Sequence, residues 1–308
     1  MEIPDVSWCC GHIAISSRGG VVGSFYAASL GSGVTRSFLF DSSTATTRPI
    51  GIGAAKGQFA TGINDRGRIA FSTEDANQQG YLLQDGAATP IGALLEPSSR
   101  GSSAAIAINA RGWIAGWSTA SDGQRHAILW NGTIHDLGTP GSWSIANGIN
   151  SAGVVAGSIQ VAGSNSIHAA VFIDGAIRDL GTLGGTLSFA AAISDSGRVV
   201  GWAAIAGSDH GHGFIYDLPA GPIIDIEPRA SCALRAVNTA GDAVGSCAAP
   251  GRFDHAVIWH AGVLIDLNET ILDPSWELIS ASAINDYGQI AGTGTHQGRD
   301  RAYILTPH

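Results

Sequence analysis

RDLGTLGGTLSFAAAISDSGRVVG, Arg178 to Gly201, admits two readings. Its glycines suggest a loop that cradles a phosphate, while its alternating apolar residues suggest strands broken by turns. The first reading needs a lysine and a following helix, and the stretch offers neither. The second depends on recurrence, and the stretch recurs. Seven segments share one form: AISSRGGVVG from Ala14, GINDRGRIAF from Gly62, AINARGWIAG from Ala107, GINSAGVVAG from Gly148, AISDSGRVVG from Ala192, AVNTAGDAVG from Ala236 and AINDYGQIAG from Ala283. In each, an Ile or Val (Ile15, Ile63, Ile108, Ile149, Ile193, Val237, Ile284) is followed four residues later by glycine. The period of about 44 residues is that of a repeat built as one supersecondary unit.

Each segment reads as a β-hairpin. Asn or Ser opens the turn by bonding back to the backbone, and glycine closes it where a positive φ is cheapest. A second hairpin follows after a variable polar loop: HAILWNGTIHDLG from His126, HAAVFIDGAIRDLG from His168, HGFIYDLPAGPIIDI from His212 and HAVIWHAGVLIDL from His255. Each unit thus has four antiparallel strands, a to d from inside outward. Seven such units without intervening helices predict an all-β chain, a single seven-bladed β-propeller domain over residues 1–308. The expected blades are 8–51, 56–92, 101–138, 142–181, 186–226, 230–267, and 276–305 completed by 1–7. The last repeat ends at RAYILTPH, before a strand d. Ile3, Asp5 and Val6 match the I-x-D-L pattern of Ile134, Asp136 and Leu137, so residues 2–7 are expected to pair with Ala302–Leu305 and close the ring. Pro4 suits an outermost strand.

Composition agrees. Of 308 residues, 13% are charged and 43 are glycine, which leaves little material for amphipathic helices. A net charge of −9 provides no basic stripe for nucleic acid or an anionic membrane surface. No apolar run approaches the roughly 18 to 20 residues of a membrane span, and MEIPDVSWCCGH lacks the form of a signal peptide. A soluble monomer without nucleic-acid or membrane partners is expected, either cytoplasmic or written without its leader.

The motif set, HA-x-x-W, then DLGTLGG, then A-x-x-IN-x-x-G-x-VVG, resembles the HAF-repeat family of bacterial extracellular repeat proteins. The resemblance covers essentially the whole chain and is clearest from His126 to Gly201. Arg36, Gln79 and Arg301 replace the family's His, and QGYLLQDG keeps little but the spacing. The resemblance implies a propeller-like repeat fold, often on exported proteins, and no general activity.

Residues present in blade after blade serve the blade. His126, His168, His212 and His255 in strand c, with Asp136, Asp179, Asp225 and Asp266 in strand d, read as structural hydrogen-bonding groups. Pattern-breaking residues are the site candidates. The early part of strand a shares a face with the b–c loops, and small residues predominate there. Blade one instead carries Trp8, Cys9, Cys10 and His12; blade four, Trp143 and Asn147; blade six, Cys232 and Arg235; blade seven, Trp276 and Glu277. His12, Arg235 and Glu277 form a candidate acid–base set: His12 to move a proton, Arg235 to stabilise negative charge and Glu277 to orient either. A structural ion pair between Arg235 and Glu277 is the competing reading. Trp8, Trp143, Asn147, Trp117, Trp202 and His210 are the candidate ligand-binding residues. Asp209, His210 and His212 could ligate a metal, but the repeat already accounts for His212, and neither metal nor cofactor is expected.

If the blade-six turn is centred like the others, Val237 faces Asp242 and Cys232 faces Cys247, close enough for a disulfide. Such a bond suits export, and free thiols suit the cytoplasm. Cys9 and Cys10 read as small buried apolar residues. Three functions fit these features: recognition of a small molecule or glycan in an axial pocket on the d–a and b–c loop face, a cofactor-independent lyase, cyclase or isomerase using that pocket, and a protein-interaction scaffold.

Overall fold

A computed structural model of the chain describes residues 2–3, 9–27, 34–53, 57–74, 78–95, 101–208, 211–227, 231–248 and 254–307. Among these the regular elements are strands and one turn of 3-10 helix, Leu267–Glu269, so the fold is all-β. Repeat three illustrates the unit, with strand a at Ser103–Ile108, b at Ile114–Thr119, c at Arg125–Trp130 and d at Ile134–Asp136, paired antiparallel in that order. Among the described residues there are six sheets. Repeats one, two, three and six form one four-stranded sheet each, while repeats four and five share an eight-stranded sheet through the parallel bridge Ile167–Leu187. Repeat seven has three strands, Trp276–Ile284, Ile290–His296 and Arg299–Leu305. Glu2 bridges Tyr303 on its outer edge, and the Ile3 amide donates to the Ala302 carbonyl at 3.0 Å.

The N-terminal pairing falls where the sequence leads one to expect it, but its register differs by three residues. Glu2 faces Tyr303 as Asp136 faces Ile128 in repeat three, and Ile3 docks as Leu137 does, so Glu2–Ile3 act as the D–L pair instead of Asp5–Val6. Ionic chemistry selects this register. Glu2 accepts from Arg301 Nε at 2.8 Å, and His296 Nδ1 lies 2.8 Å from its other oxygen, while Ile3 is fully buried.

The turn-opening Asn does more than shape its turn. Oδ1 of Asn109 accepts from the amides of Arg111 and Trp113, and its Nδ2 donates to the Asn150 carbonyl of the next repeat at 2.9 Å. Asn64 reaches Asn109 in the same way, Asn150 reaches Ser194, Asn238 reaches Asn285 and Asn285 reaches Ser16. Repeats one and five carry serine at this place, which cannot reach so far. Two other bonds serve there: Ser17 N donates to Asp65, and Arg198 Nη1 donates to the Gly241 carbonyl.

Strand d is fixed by its D-L-G motif. Asp136 holds His126 Nδ1 at 2.8 Å and accepts the Gly138 amide at 2.7 Å, and Asp179 treats His168 and Gly181 likewise. His212–Asp225 and His255–Asp266 complete the series, as the structural reading of these pairs requires. Where strand c has Arg36 or Gln79, strand d presents Pro49 or Pro90 in place of the acid.

A bulge shapes the inner strands. In repeats two to seven the a–b register slips by one residue, leaving Thr61, Ile106, Asn147, Ala191, Arg235 and Ser282 as the extra residues. Such bulges bend the strand and re-aim a side chain. They also bring the strand-a carbonyl against strand b, where a Cβ on Gly157 would meet the Ile145 oxygen at 1.9 Å. This explains the glycine that ends V-V-G.

Candidate functional site

The seven anchor residues, from Ile15 through Val237 to Ile284, line one cavity of about 190 Å³ together with their turns. Asp65, Asp195 and Asp286 edge it, each bound by a neighbouring repeat: Ser17 N, Ser151 N and Oγ, and Thr239 N donate to them in turn. The cavity opens beside the a–b turns, whereas the sequence places the pocket at the d–a and b–c loops. The turns contribute polar backbone and side chains on all sides of the axis, and the bulky anchors stop short of meeting at its centre.

His12 and Arg235 lie deeper along the same axis. Arg235 is the bulge residue two positions ahead of Val237, and His12 precedes Ile15 by three, so they stand roughly 7 and 10 Å inward from the anchors along their strands. Both retain solvent exposure. Burial by surrounding protein, and after it the positive charge of Arg235, hold the His12 imidazole below the usual histidine range. Repeats six and one are separated by repeat seven, since Asn238 bonds to Asn285 and Asn285 to Ser16. The influence of Arg235 on His12 therefore reaches past an intervening repeat. Among the described residues no carboxylate forms an ion pair with Arg235.

Other bulge side chains are tied to neighbouring inner strands. Asn147 Nδ2 donates to the Ala190 carbonyl at 2.8 Å, and Thr61 Oγ1 to the Ala105 carbonyl at 3.0 Å. Each satisfies a carbonyl just ahead of the next repeat's bulge. Asn147 is thus a structural donor as well as an axial residue.

The remaining candidates are dispersed. Glu277 is half-buried in strand a of repeat seven, opposite Thr295. Trp143 is half-buried at the entry to strand a of repeat four. Trp117 is only 7% exposed and lies under the Arg125 guanidinium, 4.2 Å from its ring centroid, so its indole is a packing element and not an open stacking wall. Trp202 packs on Phe189, with ring centroids 5.9 Å apart, and covers Gly211, where a Cβ would meet the indole at 2.0 Å. Trp8 and His210 lie outside the described residues, as do the side chains of Cys9 and Cys10. Among the described residues no group of three or more His, Cys, Asp or Glu is arranged to hold a metal ion. Cys232 and Cys247 face each other across strands a and b and form a disulfide, with Cα atoms 4.0 Å apart.

The bulge was the signal missed in the sequence. Its consequence was visible as the glycine that ends six of the seven segments, Phe71 standing there in the second, a residue out of place in a regular strand unless another backbone approaches closely.

No family model matches the chain, and no curated protein matches it. Solved structures do. The β-propeller domain of the Trilobed protease from Pyrococcus furiosus is 11% identical, with a TM-score of 0.60 over 98% of this chain and 96% of that one. A puromycin-hydrolysing peptidase from Mycobacterium tuberculosis is 13% identical, with a TM-score of 0.63 over 96% of this chain and 51% of that one, so this chain spans about half its length. A putative TolB from Agrobacterium tumefaciens is 12% identical, with a TM-score of 0.55 over 87% and 96%. At such identities the likeness is one of fold alone, and the fold is a β-propeller.

Proposed function

We propose that the chain is a seven-bladed propeller that recognises a carboxylate-bearing small molecule or acidic glycan on its axis, between Arg235 and His12. The blade count is supported by the seven repeats lining one cavity and by hydrogen bonds that pass from each repeat to the next, including repeat seven to repeat one. The repeated His–Asp pairs fit membership of the HAF-repeat type. One observation carries the ligand class: the exposed guanidinium of Arg235 has no ion-paired carboxylate among the described residues, and its positive charge reaches the His12 imidazole. A bound anion offsets that repulsion, and it accepts charge-assisted hydrogen bonds from the guanidinium. The anion also raises the depressed His12 pKa, so binding tightens as pH falls through the range in which the imidazole gains its proton.

Calorimetric titration against uronic acids, acidic oligosaccharides and neutral sugars tests this reading. The parent is expected to bind acidic members and Arg235→Ala to lose about tenfold or more in affinity with an unchanged melt. Equal affinity of Arg235→Ala and the parent for every acidic ligand would refute it. A second reading, proton transfer by an acid–base enzyme, is favoured by the lowered pKa of His12, the direction that suits a base. Turnover lost in His12→Gln while binding survives distinguishes it.

A further inference from the structure

The a–b turns surround one mouth of the axial cavity, and charge is shared unevenly among them. The residue ahead of the turn glycine is Arg18, Arg66 and Arg111 in repeats one to three, and never a cation in repeats four to seven, where Ala240 and Tyr287 hold that place in six and seven. All three arginines are exposed, and among the described residues none forms an ion pair. Arg68 adds a fourth positive charge to these turns, and Asp65 is their one carboxylate.

Repeats five to seven carry the opposite sign. Their turns hold Asp195, Asp242 and Asp286 against a single cation, Arg198, which is already engaged by both oxygens of Asp217. Tyr287 stands beside Asp286 with 74% of its surface exposed. It offers an aromatic face of the kind on which Arg111 lies within this chain, 4.9 Å from the Trp113 ring centroid.

We infer that the chain forms a two-fold homodimer through this face, against the monomer expected from its sequence. A surface positive on one side and negative on the other is complementary to a copy of itself. Turned over about a two-fold axis through repeat four, a second disc sets its repeat seven on repeat one, six on two and five on three, and each contact occurs twice. Arg18 then meets Asp286 and Tyr287, Arg111 meets Asp195, and Arg66 meets the turn that holds Ala240 and Asp242. With the axis through repeat two instead, Arg66 meets Arg66 and Arg18 meets Arg111, so repulsion selects the first arrangement. The pairing rests on the seven-repeat ring proposed above, and not on a ligand at Arg235.

Sedimentation equilibrium of the full chain at about 10 mM and about 150 mM salt tests it, because the Debye length shortens from roughly 30 to roughly 8 Å. A concentration-dependent dimer is expected at low salt, weakened about tenfold or more at the higher salt. At low salt Arg66→Glu and Ala240→Arg should each weaken it about tenfold, and the double variant should return to within about threefold of the parent. Arginine at this turn position is already carried by three repeats, and melting curves verify that the variants fold. A parent monomeric at low salt up to about 100 μM overturns the inference. So does a dimer indifferent to salt or to either single substitution, or a double variant no better than the singles. A monomer retained on an anionic resin assigns the arginines to an acidic partner and also overturns it. Arg235→Ala should dimerise like the parent, and a crystal structure counts the blades, so the earlier reading fails or stands by separate measurements.

Discussion

Asn109 is buried and its carboxamide makes three hydrogen bonds, two within its turn and one to the next repeat. Asn109→Ala strands those partners and is expected to cost about 2 to 4 kcal/mol in urea denaturation. Asn109→Ser is expected to cost less than half as much, because Ser16 and Ser194 already accept from the amides of Gly20 and Arg198 at 3.1 Å in their own turns. The sequence made the turn role of Asn legible through its fixed distance to glycine. It did not reveal the reach of the amide nitrogen to a neighbour about 44 residues away, because only spatial stacking creates that contact. His126 belongs to this scale as well. Burial lowers its pKa, but Asp136 and Asp122 outweigh burial and leave it raised. The raised folded value means that its stabilisation is complete below about pH 6.5 and is lost as pH rises through the folded pKa. Melting curves of the parent and His126→Gln should therefore converge as the pH rises above that range, and a constant gap would contradict the assignment.

Between strands, the bulge governs both packing and exposure. Thr61, Asn147 and Arg235 are displaced from regular pairing at equivalent places, yet two bond to a neighbouring strand and Arg235 stays exposed. That difference makes Arg235 the specialised residue of the set. The disulfide reading illustrates how sequence geometry can reach a right pair through an incorrect register. Facing Val237 with Asp242 leads to Cys232 opposite Cys247; the strands instead pair Val237 with Ala243, and the bulge at Arg235 restores the offset before Cys232 is reached. The bond closes a loop over a sequence separation of 15 residues. Chain-entropy reasoning assigns roughly 3 kcal/mol to such a loop. Cys232→Ser should lower stability by about that amount, and non-reducing peptide mapping of the parent should recover one linked fragment holding both cysteines. Recovery of two free thiols after purification under oxidising conditions would remove the cross-link from the account.

For the molecule as a whole, the contact that distinguishes a closed ring from an open arc is the one between its two termini. Seven copies of one hairpin made a propeller legible, because each unit has apolar faces that only neighbours can cover. The terminal register was not legible, since I-x-D at Ile3 to Asp5 imitates the strand-d pattern while the competing E–I pair at Glu2 and Ile3 lacks the usual Asp. The partner decides the matter: repeat seven has Arg301 where repeats three to six have His, and Arg301 and His296 both engage Glu2. Burial alone raises the Glu2 pKa, but His296 and Arg301 outweigh it and leave it lowered, so this contact stabilises above the ordinary carboxylate range and weakens as pH falls through the folded value. Ile3 is fully buried among Ile13, Ile15, Phe38 and Ile304, residues of the first and last repeats. Ile3→Ala should therefore cost about 2 to 5 kcal/mol, the range for truncating a buried Ile, and lower the melting temperature by on the order of 5 °C. Deleting residues 1–7 should lower it further and expose Ile13 and Ile304 together, because the same core joins both repeats. If the deletion melts like the parent, the N-terminal segment does not hold repeats one and seven together, and contacts such as Asn285 to Ser16 must suffice to do so.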